Sequence, residues 1–115
     1  MADEPAIETL SALVPATLRA LHAIEFASRH LSPHTLPQIV EALAGCNDDL
    51  APALAASRAR DWPGRLAPVR DHLERAAVFA GEAIEGLRAA PEAPQPIVAA
   101  YRSLRGYPRA CEALY

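Results

Sequence analysis

Apolar residues recur along this chain every three or four positions, the spacing of one face of an α-helix. The clearest run is Leu66, Val69, Leu73, Ala76, Ala80, Ala83 and Leu87, with Ile84 beside it. Arg70, Asp71, Glu74, Arg75, Glu82 and Glu85 fall on the opposite side of the same wheel. The pattern predicts an amphipathic helix over residues 65–89, roughly 25 residues or about 37 Å long. Its central alanines permit close approach of a neighbouring helix.

Eleven prolines cut the rest into shorter pieces. Proline lacks an amide donor and clashes with the preceding turn, so it is best tolerated where a helix begins. A first helix is expected after Asp3-Glu4-Pro5, carrying Ile7, Leu10, Leu13 and Val14, with Pro15 kinking or restarting it. The next segment runs from Pro15 to Leu31 with Leu18, Leu21 and Ile24, and Ser32-Pro33-His34-Thr35 breaks it. Leu36-Pro37 opens a short helix to Ala44, with Gly45 in the C-cap position. Asn47 or Asp48 is placed to cap a helix through Leu50, Leu54 and Arg58.

Asp61-Trp62-Pro63-Gly64 is the next break, with Asp61 read as the cap of the long helix and Pro63 as its opening. Pro52 and Pro68 fit only if their helices have barely begun. Pro91-Glu92-Ala93-Pro94-Gln95-Pro96 predicts a stiff, extended connector. A helix over Ile97–Arg105 then stops at Gly106, and Tyr107-Pro108 opens a last one over Arg109–Tyr115. Tyr101, Gly106, Tyr107, Ala110 and Tyr115 resemble the helix-turn-helix register of a tetratricopeptide repeat. Their Gly-to-Ala spacing is one residue short of that family's pattern, and no upstream copy exists at its period of ~34 residues. An ordinary helical hairpin is therefore expected.

Composition agrees with helices. Hydrophobic residues make up 51% and aromatics 5%, so the core is one of Leu, Ile, Val and Ala. β-branched and aromatic residues are scarce and alternation is absent, which leaves sheet unsupported. The expected fold is all-α: a single domain over 1–115, an irregular bundle of five or six helices around the helix of 65–89. The chain stops inside an amphipathic segment, as an N-terminal domain of a longer protein would.

No apolar run reaches the roughly 20 residues of a membrane span. The acidic start lacks a signal peptide's positive charge, so a cytoplasmic location and no membrane partner are expected. Cys46 and Cys111 then read as small buried hydrophobes rather than a disulfide. Every basic residue is Arg. Residues 1–50 carry seven acids against Arg19 and Arg29, a balance of −5, whereas residues 51–115 carry seven acids against nine arginines, a balance of +2. Such halves can attract within a fold or between protomers.

Candidate chemistry is thin. His22 and Glu25 lie three apart on one helix face, with His30, His34 and His72 as further imidazoles. Carboxylate-bridged metal bundles repeat Glu-x-x-His on two helices, and no second motif exists here. His22, Glu25, His30 and His72 are thus only the best available metal candidates, and the expectation is no metal and no cofactor. No phosphate loop, nucleophile elbow or zinc spacing occurs, so no catalytic residue is assigned. Arg58, Arg60, Arg65 and Arg70 cluster around Trp62 as a candidate anion patch. Neighbouring acids and the net charge of −3 argue against nucleic acid.

The expected function is a non-catalytic association or accessory domain, docking to itself (a homodimer being one form) or to a larger polypeptide. Leu66, Val69, Leu73, Ala76, Ala80, Ile84 and Leu87 are the expected packing or interface residues. The alternatives are a helical N-terminal cap of a hydrolase-type enzyme with its active site after residue 115, and a small metal- or ligand-binding bundle.

Overall fold

The computed structural model describes residues 4–62 and 64–114. Their order is α1 (Glu4–His30), α2 (Leu36–Leu43), α3 (Cys46–Arg58), α4 (Ala67–Ala89), a 3-10 turn (Ala90–Glu92), α5 (Pro96–Ser103) and α6 (Gly106–Leu114). The fold is all-α, with no strand among the described residues. Pro63 and Tyr115, read above as a helix opening and a helix end, lie outside the described residues.

Pro15 does not divide the first segment. α1 is a single helix of 27 residues. Pro15 is exposed, so the Ser11 carbonyl that loses its amide partner can be hydrated instead. Around it, Ala6, Leu13, Ala16, Ala20, Ile24 and Ala27 repeat at helical spacing and are all buried. Continuous burial on one face outweighs one missing hydrogen bond on the other. Pro52 is likewise inside α3 rather than in its first turn, and it too is exposed.

Helix ends also differ from expectation. Gly45 adopts φ −82°, ψ −15° and precedes α3 directly, so it is not a left-handed cap of α2. Asn47 and Asp48 lie within the first turn of α3, where Asp48 and Asp49 favour the positive end of the helix dipole. Asp61 does not cap α4, because that helix starts at Ala67 with Pro68 in its opening turn. The connector after α4 is no extended rod: Ala90–Glu92 tightens into a 3-10 turn closed by Ala93 N–H to the Ala90 carbonyl at 3.0 Å. Gly106 begins α6 instead of stopping α5. Thr35 closes α1 by donating its hydroxyl to the His30 carbonyl at 2.5 Å.

The long helix predicted over 65–89 is α4, and it sits at the centre, packing against α1, α3, α5 and α6. Leu50 of α3 lies opposite Gly81, and Ser57 opposite Glu74, so α3 and α4 run antiparallel. α6 is antiparallel to α4 as well, with Ala113 at His72 and Arg109 beside Phe79. α5 and α6 each dock on α4 and barely touch one another, so the expected hairpin is replaced by two separate contacts. One continuous core runs from Leu13 to Ala113, its largest members being Leu13, Ile24, Leu43, Leu50, Ile84 and Leu87.

Candidate functional site

α4 presents Leu73, Ala76, Ala80, Ile84 and Leu87 to the chain's own core, all with 9% exposure or less. Leu66 is half-buried at the helix start, and Val69 is exposed. The alanines let α1 and α3 approach closely, so the stripe is consumed by intramolecular packing.

The candidate arginine cluster is partly committed. Arg70 donates from Nε and Nη2 to Asp71 Oδ1 at 3.1 and 2.8 Å, and its guanidinium stands 6.0 Å from the Trp62 ring centroid. Trp62 is half-buried and donates Nε1–H to the Ser57 carbonyl at 2.9 Å, satisfying an end carbonyl of α3. The buried Ser57 hydroxyl donates to Glu74 Oε1 at 2.7 Å, tying α3 to α4. Arg58 lies across from Asp71, Glu74 and Arg75, while Arg60 is half-exposed and Arg65 exposed. Structure therefore explains Trp62 and Arg70 as parts of the α3–α4 corner.

The histidines are dispersed. His22 is exposed on α1, and Glu25 is bonded to Arg29 at 2.6 Å. The His30 ring lies 4.4 Å from Phe26, centroid to centroid. His72 donates Nδ1–H to the Ala113 carbonyl at 3.0 Å, a satisfied link between α4 and α6. Among the described residues, no group of three or more His, Cys, Asp or Glu is arranged to hold a metal ion. Burial pushes the Cys46 thiol above its ordinary pKa, disfavouring the thiolate a nucleophile needs. The Tyr107 phenol is also raised, chiefly by a hydrogen bond with Cys111. Both cysteines are free.

Two surfaces remain that the sequence pattern did not single out. The first is the outer face of α1, where Ile7, Leu18 and Phe26 are 54%, 44% and 59% exposed, with Pro15 exposed between them. Its signal was present, as apolar residues on the side opposite Leu13 and Ile24, but Pro15 hid the continuity of the helix. The second is a depression where α4 meets α6, floored by Phe79 and rimmed by arginines. Nothing in the one-dimensional pattern joins residues so far apart.

Compared with known proteins, the chain matches no family model, no curated protein and no solved structure. Among the described residues, no helix is long and apolar enough to cross a membrane.

Proposed function

We propose that this chain is a non-catalytic helical association module that pairs with a second copy through the outer face of α1. The observation carrying this is the placement of the large exposed apolar side chains Ile7, Leu18 and Phe26 together with the exposed Pro15. Their spacings of eight, three and eight are the same read in either direction. A two-fold, antiparallel pairing of α1 with α1 therefore sets Ile7 against Phe26 of the second copy and Pro15 against its Leu18. An isologous interface requires such self-complementarity.

Charge is compatible with the pairing. Glu8 meets Glu25 of the second copy at the edge, where Arg29, bonded to Glu25 at 2.6 Å, offsets the negative charge. One helix pair buries less than the ~1,200 Å² of a stable complex, so association is weak and concentration-dependent.

Sedimentation equilibrium over a concentration series tests this directly. A monomer–dimer equilibrium is expected, and Leu18→Glu, which sets two carboxylates near the dyad, weakens it by about tenfold or more. Leu18 is exposed in the monomer, so the urea midpoint of the variant stays within about 0.5 kcal/mol of the parent. A strict monomer up to about 1 mM overturns the proposal.

A further inference from the structure

Around Phe79 the fold gathers four arginines from three helices: Arg75 of α4, Arg102 of α5, Arg109 of α6, and Arg105 in the turn between the last two. None of their guanidinium groups makes an ion pair with the described residues. Elsewhere Arg19, Arg29, Arg70 and Arg88 are each paired with a carboxylate, while Arg58 and Arg60 make no ion pair with the described residues either. Glu82 and Glu112 share the depression with these four, which leaves it an excess of two positive charges.

The depression has two lobes that share Phe79 and Arg109. One, of about 290 Å³, is bounded by Arg75, Arg109 and Glu112. The other, of about 190 Å³, is bounded by Arg102, Arg105, Arg109 and Glu82. Phe79 is half-buried, with part of its ring left to floor the space between them. Arg75 and Glu82, the α4 residues near the two ends of the depression, are seven residues or about 10 Å apart along the helix.

We infer that this groove binds an acidic helical segment of a partner protein, with two carboxylates two turns apart and an apolar residue between them. Guanidinium forks match carboxylates in geometry as well as charge. An i, i+7 pair of Glu residues spans about 10 Å and reaches both lobes, while a Leu at i+3 or i+4 covers the Phe79 ring. Glu82 and Glu112 leave the groove only a modest positive excess, which suits a segment with few charges better than a continuous phosphate backbone. No residue of the groove lies on α1, so it stands apart from the pairing face proposed above.

The test is fluorescence anisotropy with a labelled helical peptide carrying Glu at i and i+7 around a central Leu. Controls are the same peptide with both Glu replaced by Gln, one with Glu at i and i+3, and a single-stranded oligonucleotide of equal charge. The i, i+7 peptide is expected to bind best, with affinity falling as salt rises. The double variant Arg105→Ala/Arg109→Ala should weaken it by on the order of tenfold. Leu18→Glu should leave binding unchanged, which separates failure of the groove from failure of α1 pairing. Equal binding of the Gln peptide, tighter binding of the oligonucleotide, or no loss in the double variant overturns the inference.

Discussion

Gly86 owes its identity to contact rather than to backbone conformation, since no described glycine has positive φ. A Cβ built there would overlap the Ser103 hydroxyl and come within 2.8 Å of the Ser103 Cβ. Ser103 in turn bonds back to the Ala99 carbonyl at 3.0 Å, which holds it in place. Gly86→Ala is therefore expected to destabilise by about 1–3 kcal/mol despite alanine's better helix propensity. Ser103→Gly should recover much of that loss in a double-mutant cycle read by urea unfolding. Additive effects of the two changes would show that α4 and α5 do not meet there. Gly81 provides the contrast: its added Cβ would meet only Leu50 Cδ2, at an ordinary 3.8 Å.

At the scale of elements, α1 departs most from what its residues prefer. Pro15 removes the bond that would close on the Ser11 carbonyl, yet the helix runs on for fifteen more residues to His30. Two residues later the buried Thr17 hydroxyl donates to the Leu13 carbonyl at 2.7 Å, so that side chain is satisfied without leaving the helix. The penalty of an interior proline is about 3 kcal/mol where nothing else intervenes. Pro15→Ala should restore the bond and stabilise the protein by about 1–3 kcal/mol in denaturant unfolding. A lower midpoint would instead mean that α1 depends on a bend at Pro15. The same continuity makes the outer face of α1 a single surface rather than two fragments.

The whole molecule is a rod of 52 × 23 × 20 Å with a radius of gyration of 15.1 Å, against about 13 Å expected for a compact chain of this length. A width of 20–23 Å holds two layers of helices spaced ~8–10 Å apart, so each long helix keeps an outer face. In α1 that face carries exposed apolar side chains. In α4 the fully buried Ala80 marks the opposite situation. A carboxylate there cannot reach water or a partner, so Ala80→Glu should abolish cooperative unfolding by circular dichroism rather than merely shift an association equilibrium. A folded Ala80→Glu monomer would contradict the burial of this stripe.

The sequence by itself determined the helical class, the central helix (read as 65–89, observed as Ala67–Ala89) and the break at Ser32–Thr35, because apolar periodicity and the location of proline are local properties. It misjudged Pro15 and Pro52, whose helices are held by burial on the opposite face, and it took Gly45 and Gly106 as helix ends although one directly precedes α3 and the other opens α6. Only the tertiary structure decided which stripe is spent inside the monomer and which stays outside. Leu73 and Ala80 on α4 and Leu18 and Phe26 on α1 are all apolar positions on long helices, yet neighbours cover only the first pair. Only the fold, again, brought Arg75 to Arg102, Arg105 and Arg109 around Phe79. Charge and exposure become a surface when helices distant in sequence are packed side by side.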